Sequence, residues 1–306
     1  MNGNGTEIIF PLIVSMAACL GTTVFRKVFL ENSRGTSAGI MVYNAMGGAA
    51  AAAVLLAWGG FGECSHFTLL TGILFGVITG AQWITNLMAL RCGPLAYTTL
   101  IVSFSTLISA LSGVMFFGED SLAVAQIIGI VLMLISFVFA NGKDSDGKRA
   151  NAAWLILCVI AFFFTGAIGI MQKVHQASEY KGEINAFLII AFVTLTVISF
   201  SSAVILDRRD KGNNDDTPPT RGKKSTGFLL FIMLISGVCV ALNNKLNLYL
   251  AGIIPSAIFF PIVNGGGLVL TTLSALVFFR ERLTAKQWVG VILGTASVVL
   301  VCNPFG

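Results

Sequence analysis

The stretch "IPSAIFFPIVNGGGLVLTTLSALVFFRERLTAKQWVGVILG", residues 254–294, contains two long apolar runs separated by the charged turn "RER". A helix needs roughly 20 residues to cross a hydrocarbon core about 30 Å thick, and apolar runs of this kind suit that length. The whole chain has the same character: 56% of its 306 residues are hydrophobic, 11% are charged and the mean hydropathy is +0.86. Such a composition excludes an ordinary soluble domain. The sequence therefore predicts an all-α integral membrane protein.

Ten apolar segments follow one another along the chain. They predict ten transmembrane helices, over residues 6–26, 36–58, 68–90, 95–117, 121–140, 152–172, 184–206, 227–250, 255–279 and 284–303. The longest connection, the loop over residues 208–226, is polar, of mixed charge and contains Pro and Gly, so it is predicted to be mobile and solvated. The six cysteines have no metal-type spacing and are expected to be unpaired thiols.

The quoted stretch has a counterpart earlier in the chain, "GPLAYTTLIVSFSTLISALSGVMFFGEDSLAVAQIIGIVLM", residues 93–133. Pro94 matches Pro255, and the Gln-x-x-Gly motif at 126–129 matches the one at 287–290, both at an offset of 161 residues. "FFGE" likewise matches "FFRE" within these stretches. Each half thus contains five helices, and an odd number means that the second half enters the membrane from the other side. Such inverted repeats occur in many secondary transporters.

The two halves span residues 1–147 and 148–306, and each ends in Pro-x-Ala, an apolar helix, a Gly/Arg-Glu turn and Gln-x-x-Gly. This order resembles the drug/metabolite transporter superfamily, specifically its EamA-like ten-helix members. The resemblance implies two inverted five-helix repeats around a central cavity, with helices five and ten at the periphery. It also implies export (efflux) or exchange of small metabolites such as amino acids, sugars, nucleotide sugars or drugs.

The basic residues predict the orientation of the chain. Sixteen of the 19 Lys and Arg residues lie at the connections after helices one, three, five, seven and nine. The remaining three are Lys173, Lys181 and Lys245. The positive-inside rule therefore places the first set in the cytoplasm and both termini outside. The family resemblance implies the opposite orientation, with both termini in the cytoplasm.

Two pairs of amide side chains lie inside predicted helices at matching positions. Gln82 and Asn86 are four residues apart, and the repeat offset places them on Asn243 and Asn247. Each pair lies on one helix face, about one turn apart. An amide in lipid is costly unless it is hydrogen-bonded, so both faces should point into the bundle or a wet cavity. Either they bind substrate from two related helices or they join helices together.

Lys245 lies between the two asparagines of the eighth helix but about 200° around it from Asn243. It therefore points away from the amide face. Two interpretations stay open. The side chain either extends to the membrane interface or forms a cationic site for a carboxylate or phosphate. Its repeat counterpart is Ile84, so the charge breaks the symmetry of the halves.

Further candidates lie near the middle of predicted helices. In the motif "PIVNGGG", Asn264 matches Ser103 of the fourth helix, and three glycines follow it. The glycines after Pro261 are expected either to weaken the helix or to permit close packing, and interrupted helices at the midplane often bind substrate in transporters. Trp83, Tyr43 and Asn44 are candidates for lining the same cavity. A packing role is equally expected for each of them.

No Asp or Glu lies in the interior of a predicted span, and no P-loop, metal cluster or nucleophile arrangement is present. The chain is therefore expected not to be an enzyme and to have no catalytic residue, bound metal or cofactor. Without such a carboxylate, transport cannot be coupled to proton movement in the usual way. Facilitated diffusion, exchange, or coupling through Lys245 or a histidine is therefore favoured.

The predicted function is transport of a small polar or amphipathic metabolite, such as an amino acid, a sugar or a related compound, across the plasma membrane by alternating access. The expected partners are the small-molecule substrate and membrane lipids, and a homodimer is an open alternative. The basic residues are dispersed among loops, so no nucleic acid is expected. Two other functions stay open: a non-transporting membrane subunit or scaffold, and a passive channel.

Overall fold

The computed structural model of the protein describes residues 5–33, 36–92, 98, 101–118, 123–140, 151–212, 226–278 and 284–302. The described residues form ten α-helices, which are α1 (Gly5–Asn32), α2 (Ser37–Gly59), α3 (His66–Cys92), α4 (Thr106–Phe116), α5 (Val124–Ala140), α6 (Ala152–Ala177), α7 (Ile184–Gly212), α8 (Thr226–Ile253), α9 (Ser256–Phe278) and α10 (Ala285–Cys302). Each of them overlaps one of the ten predicted spans. Over these residues, the prediction of an all-helical protein with ten helices in this order is confirmed.

Six of these helices are long and apolar enough to cross a membrane, judged by length and composition over the described residues. They are α1, α2, α3, α6, α7 and α8, and shorter apolar helices occur at Ile101–Phe116, Val124–Phe139 and Ala285–Val301. Large apolar side chains such as Leu70, Val197 and Ile292 are exposed on their surfaces, where lipid tails would cover them. The chain is therefore a multi-pass membrane protein.

Several helices extend beyond the predicted apolar spans. α1 continues to Asn32, so Arg26 lies inside the helix and not in the connection after it. α7 continues to Gly212 and includes the first residues of the predicted loop over 208–226. Charged residues such as Arg, Lys and Glu have good helix propensity, so a helix can continue past the end of its apolar span. The remainder of that loop, the junction of the predicted halves, Pro94, Glu119 and Glu281 lie outside the described residues.

The fourth span is interrupted near its middle. Residues 101–103 are helical, a turn follows at Phe104 and Ser105, and α4 begins at Thr106. The backbone N–H of Ser105 donates to the Val102 carbonyl at 3.1 Å, and that of Leu107 donates to the Phe104 carbonyl at 3.0 Å. These bonds have the tighter spacing of a 3₁₀ turn. α9, in contrast, is continuous through Pro261 and its three glycines. The interrupted helix is therefore the fourth span, which the repeat matches to α9, and not α9 itself.

The helices form two compact units, and each unit contains helices from both halves of the sequence. The α2–α7 unit comprises Ala17–Gly80 and Gly182–Asn247. The α5–α10 unit comprises Met1–Met16, Ala81–Lys181 and Leu248–Gly306. The division of the sequence into the halves 1–147 and 148–306 stays a prediction.

In the α2–α7 unit, glycines allow close helix contacts. A Cβ at Gly48 of α2 would lie 2.8 Å from the Thr196 hydroxyl of α7, and Gly59 lies against Asn185, so the two helices run antiparallel. α3 packs on α7 through Gly72, Gly76 and Gly80, which are spaced four residues apart. Small residues at this spacing let membrane helices approach closely.

In the α5–α10 unit, the repeated Gln-x-x-Gly motif has the same role twice. The Gln126 side-chain oxygen accepts from the Ala123 N–H at 3.0 Å, and that of Gln287 accepts from the Thr284 N–H at 2.9 Å, so each glutamine caps the start of its helix. Each glycine lies where α5 meets α10. A Cβ at Gly129 would lie 2.7 Å from Val301.

The Ser136 hydroxyl of α5 donates to the Gly290 carbonyl of α10 at 2.7 Å. Together with the contact of Gly129 near the end of α10, this pairing shows that α5 and α10 run antiparallel. α2 and α7 hold corresponding positions in the two predicted halves, and so do α5 and α10. Both corresponding pairs therefore pack antiparallel.

Candidate functional site

The polar segment of α8 lies in the α2–α7 unit. The Asn247 side chain donates to the Asn243 side-chain oxygen at 3.3 Å, which confirms that these two residues share one helix face. Asn244 instead donates to the Val240 carbonyl of its own helix at 2.9 Å. All three asparagines are partly buried. The Asn244 side chain is therefore bonded to the backbone of its own helix, whereas the Asn243 and Asn247 side chains are bonded to each other.

The Lys245 side chain points away from the Asn243–Asn247 pair, as predicted from its position around the helix. Its ammonium lies 4.7 Å from the centre of the Trp58 ring near the end of α2. A cation over an indole face is stabilised by about 0.5–2 kcal/mol. The side chain is partly buried, and the indole gives it a fixed place without neutralising its charge. The role of Lys245 as a cationic site for a carboxylate or phosphate stays a prediction.

Tyr43 and Asn44 lie in α2 and are both buried, at 6% and 5% exposure. The Tyr43 hydroxyl is hydrogen-bonded to the Ser236 hydroxyl of α8, and its ring lies 4.8 Å from the Phe29 ring of α1. Tyr43 thus joins α1, α2 and α8 by packing as well as by a hydrogen bond. Sequence reasoning did not identify Ser236, because a lone serine in an apolar helix carries no signal.

The other amide pair lies in α3, within the α5–α10 unit. Gln82 is buried at 8% exposure, whereas Trp83 and Asn86 are partly buried. The Asn86 side-chain oxygen is enclosed and has no hydrogen-bond partner among the described residues. A buried carbonyl oxygen without a donor is costly, so this atom could accept a hydrogen bond from a ligand.

Ser103 and Asn264 also belong to the α5–α10 unit. Ser103 is the last residue of the helical segment that precedes the interruption before α4. Asn264 is exposed on α9, and the glycines that follow it are in close contact, since a Cβ at Gly265 would lie 3.3 Å from the Met133 sulfur. These glycines therefore serve packing.

The structure distributes the predicted residues over the two units. The α2–α7 unit contains Tyr43, Asn44, Asn243, Lys245 and Asn247, and the α5–α10 unit contains Gln82, Trp83, Asn86, Ser103 and Asn264. Each unit thus has one pair of amides, and the lysine belongs to only one of them. Over the described residues, no group of three or more His, Cys, Asp or Glu could hold a metal ion.

A second polar cluster occurs at the end of α6 and was not predicted as a site. Gln172, His175 and Gln176 are buried, and His175 is 0% exposed. The Lys173 ammonium donates to the Ala251 carbonyl in the last turn of α8 at 3.1 Å, where a cation offsets the helix dipole. These contacts give the cluster a structural role in the α5–α10 unit.

Comparison with known proteins supports the architecture. The EamA-like transporter family matches residues 152–303 of the chain. One solved crystal structure is similar over 96% of this chain and 96% of its own, with a TM-score of 0.67 at 14% sequence identity. At this identity the likeness shows the fold alone. No curated protein matches the sequence.

Proposed function

Because the chain belongs to the EamA-like transporters of the drug/metabolite transporter superfamily, we propose that it moves a small polar or amphipathic metabolite across the plasma membrane by alternating access. Exchange or facilitated diffusion suits the absence of an acidic residue from the interior of the predicted spans, because no carboxylate is then available there to carry protons. Amino acids, sugars and related compounds are the expected substrate classes, because they carry both donors and acceptors and an amide side chain can hydrogen-bond to either.

The observation that carries this proposal is the polar segment of α8. Within one apolar, membrane-length helix, Asn243 and Asn247 are linked at 3.3 Å and Lys245 lies over Trp58. Amides and charges at membrane depth are rare and mark pathways for substrates or ions. Within the α5–α10 unit, the enclosed oxygen of Asn86, which has no hydrogen-bond partner among the described residues, is a separate atom that could accept a hydrogen bond from a ligand.

Two features of the helices favour alternating access between inverted halves. α2 packs antiparallel to α7, and α5 packs antiparallel to α10, as expected when the halves enter the membrane from opposite sides. The 3₁₀ turn at Phe104 and Ser105 interrupts the fourth span. A short 3₁₀ stretch inside a helix often marks a functional hinge.

A thermal-shift screen of the purified protein against metabolite classes tests this function. A ligand that binds only the folded state raises the apparent melting temperature. The screen is repeated with Lys245→Leu and Asn247→Leu, and Asn244→Leu is the matched control because Asn244 bonds only to its own helix among the described contacts. The expected result is stabilisation by a polar metabolite that Asn247→Leu removes and Asn244→Leu retains.

The two site variants separate substrate classes. A carboxylate or phosphate compound whose effect is lost in Lys245→Leu would assign the lysine to an anionic group of the substrate. A compound that is indifferent to Lys245 and lost in Asn247→Leu would be neutral or zwitterionic. If every stabilising compound kept its effect in all three variants, the α8 segment would not be the binding site.

A further inference from the structure

Asn44 is a buried amide of α2 whose hydrogen-bonding groups are unused. Its side chain is 5% exposed and has no hydrogen-bond partner among the described residues. The hydroxyls near it are bonded elsewhere. The Tyr43 hydroxyl is bonded to that of Ser236, and the Thr196 hydroxyl donates to the carbonyl of Phe192 in its own helix at 2.7 Å. Because an enclosed amide without a partner is costly, a purely structural helix would not favour asparagine at this position.

An empty space lies beside this amide, at Gly47. The glycine is buried, yet a Cβ there would meet no atom within 4 Å. Packing on both sides of it is close. A Cβ at Gly48 would lie 2.8 Å from the Thr196 hydroxyl of α7, and a Cβ at Gly237 of α8 would lie 2.8 Å from the Gly47 carbonyl oxygen. The space is therefore a local gap within a tightly packed contact of three helices.

Asn44 and Gly47 lie on the side of α2 that faces this gap. Around the helix, Tyr43 marks the direction of α8, and Gly48, about 140° further round, marks the direction of α7. Gly47 lies at about 40° and Asn44 at about 100° on the same scale, so both lie between the two neighbouring helices. They are also near the middle of α2, which runs from Ser37 to Gly59.

The three helices around the gap carry no charge over most of their length. Residues 37–59 of α2, 184–206 of α7 and 226–244 of α8 contain no Asp, Glu, Lys or Arg. A charged ligand group would lose its hydration there without gaining a counter-ion. An asparagine amide offers N–H donors and a carbonyl acceptor, which match an uncharged hydroxyl or amide group.

We infer that Asn44 and the gap at Gly47 form a subsite for an uncharged hydroxyl or amide group of the transported compound. The inference rests on the proposed transport function and narrows its substrate class to compounds with such a group. Asn44 supplies the hydrogen bonds, and the missing side chain at Gly47 leaves room for the group. Packing alone would favour an apolar residue at position 44 and alanine at position 47.

The amide pair of α8 lies on the helix face that contacts α2 beside this subsite. Asn243 and Asn247 follow Ser236 by 7 and 11 residues, or about two and three turns, so the three residues share one face. Asn243 lies about 10 Å along the helix from Ser236. A metabolite with polar groups at both ends could therefore bond to Asn44 and to the amide pair.

Binding of matched neutral and charged compounds by the purified full-length protein tests the subsite. Glucose is compared with glucuronate, and glutamine with glutamate, because one uncharged group is replaced by a carboxylate in each pair. Melting temperature and affinity are recorded for wild type, Asn44→Leu and Gly47→Ala. Asn32→Leu is one control, since Asn32 donates to the Val28 carbonyl of its own helix at 2.7 Å. Gly182→Ala is the other, because a Cβ at this exposed glycine also meets no atom within 4 Å.

We expect glucose or glutamine to raise the melting temperature of the wild type more than its charged counterpart does. Binding of that neutral compound should weaken about tenfold or more in Asn44→Leu, which loses the hydrogen bonds, and in Gly47→Ala, whose methyl group fills the gap. Both controls should bind like the wild type. Without any compound, Asn44→Leu should melt about 1–3 °C higher than the wild type, because the unpaired amide is gone.

Unchanged binding in Asn44→Leu or Gly47→Ala would overturn the inference and would indicate that Asn44 bonds only to a structural water. Equal or tighter binding of the charged compounds, or no response to any of the four, would also overturn it. A lower melting temperature of Asn44→Leu without compound would give the amide a structural role instead. In each of these cases, a compound of the wider screen that still depends on Asn247 would leave the transport proposal intact.

Discussion

At the scale of single residues, the Tyr43–Ser236 hydrogen bond joins α2 to α8 inside an apolar cluster. Both side chains are buried, so losing one partner leaves the other hydroxyl unpaired. We expect Tyr43→Phe and Ser236→Ala each to lower the free energy of unfolding by about 0.5–2 kcal/mol. The double variant should cost less than the sum, because the same bond is lost only once.

Equilibrium unfolding in detergent micelles measures these values. Tyr249→Phe is the control, because Tyr249 is exposed and its hydroxyl has no hydrogen bond among the described residues. Its stability should stay within about 0.5 kcal/mol of the wild type. Fully additive losses in the double variant would mean that the two hydroxyls do not stabilise each other.

The sequence predicted correctly which face of a helix a side chain lies on, because the spacing of residues along a helix determines this. The four-residue spacing placed Asn243 and Asn247 on one face, and the angle from Asn243 placed Lys245 on another, as observed. The end of α1 was misplaced, because hydropathy ends a span at the first charges, whereas the helix continues to Asn32. Ser236 and the burial of His175 depend on neighbours from distant parts of the sequence, which no local pattern encodes.

At the scale of helices, the contact between α3 and α7 depends on glycine. A Cβ at Gly76 would lie 2.6 Å from the Ala191 carbonyl oxygen and 2.7 Å from the Thr194 Cβ. Backbone must therefore move to admit even a methyl group. We expect Gly76→Ala to lower the free energy of unfolding by about 1–3 kcal/mol. The measurement is the same micellar unfolding assay.

Gly47 of α2 is the matched control, because a Cβ there would meet no atom within 4 Å. Gly47→Ala should be neutral or stabilise by up to about 1 kcal/mol, since alanine favours the helix and loses less entropy. If Gly76→Ala were tolerated as well as Gly47→Ala, α3 and α7 would not be in the close contact described.

Helix interruptions were the least predictable feature at this scale. The sequence pointed to Pro261 and the glycines of α9, yet that helix is continuous and its glycines contact Met133 and Met16. The turn lies instead at Phe104 and Ser105, which contain no helix-breaking residue. Packing that holds a glycine-rich helix together, or interrupts an ordinary one, is a tertiary effect that outweighs local propensity.

At the scale of the whole molecule, the ten spans could be predicted because hydropathy reports burial in lipid directly. The compact units could not, since each contains helices from both halves of the chain. Their pairing depends on glycines and hydroxyls at α2–α7 and α5–α10, which become informative only when the partner helix is known.

Orientation is a whole-molecule property that one thiol can test. Cys64 is exposed in the loop between α2 and α3, on the side with few basic residues. In a variant that keeps only this cysteine, we expect a membrane-impermeant maleimide to label intact cells. Labelling only after permeabilisation would favour the orientation that the family resemblance implies. A variant that keeps only the buried Cys158 is the control and should stay unlabelled.

The rate of this labelling should depend on pH in a defined direction. Some desolvation by neighbouring atoms and, next, the Glu183 carboxylate raise the pKa of the exposed Cys64 thiol. Less thiolate is then present at a given pH than for a free cysteine, so labelling should be slower and should increase at higher pH. Removing the charge with Glu183→Gln should accelerate it at fixed pH.

Counterflow in proteoliposomes tests the central claim most directly, with the compound that gives the largest stabilisation in the thermal-shift screen. A carrier predicts saturable uptake that the same compound inside the vesicles accelerates, and that Asn247→Leu reduces while Asn244→Leu does not. Uptake that rises linearly with concentration and ignores the internal compound would indicate a channel. Uptake equal to that of empty liposomes would indicate a non-transporting subunit, and either result would contradict transport by alternating access.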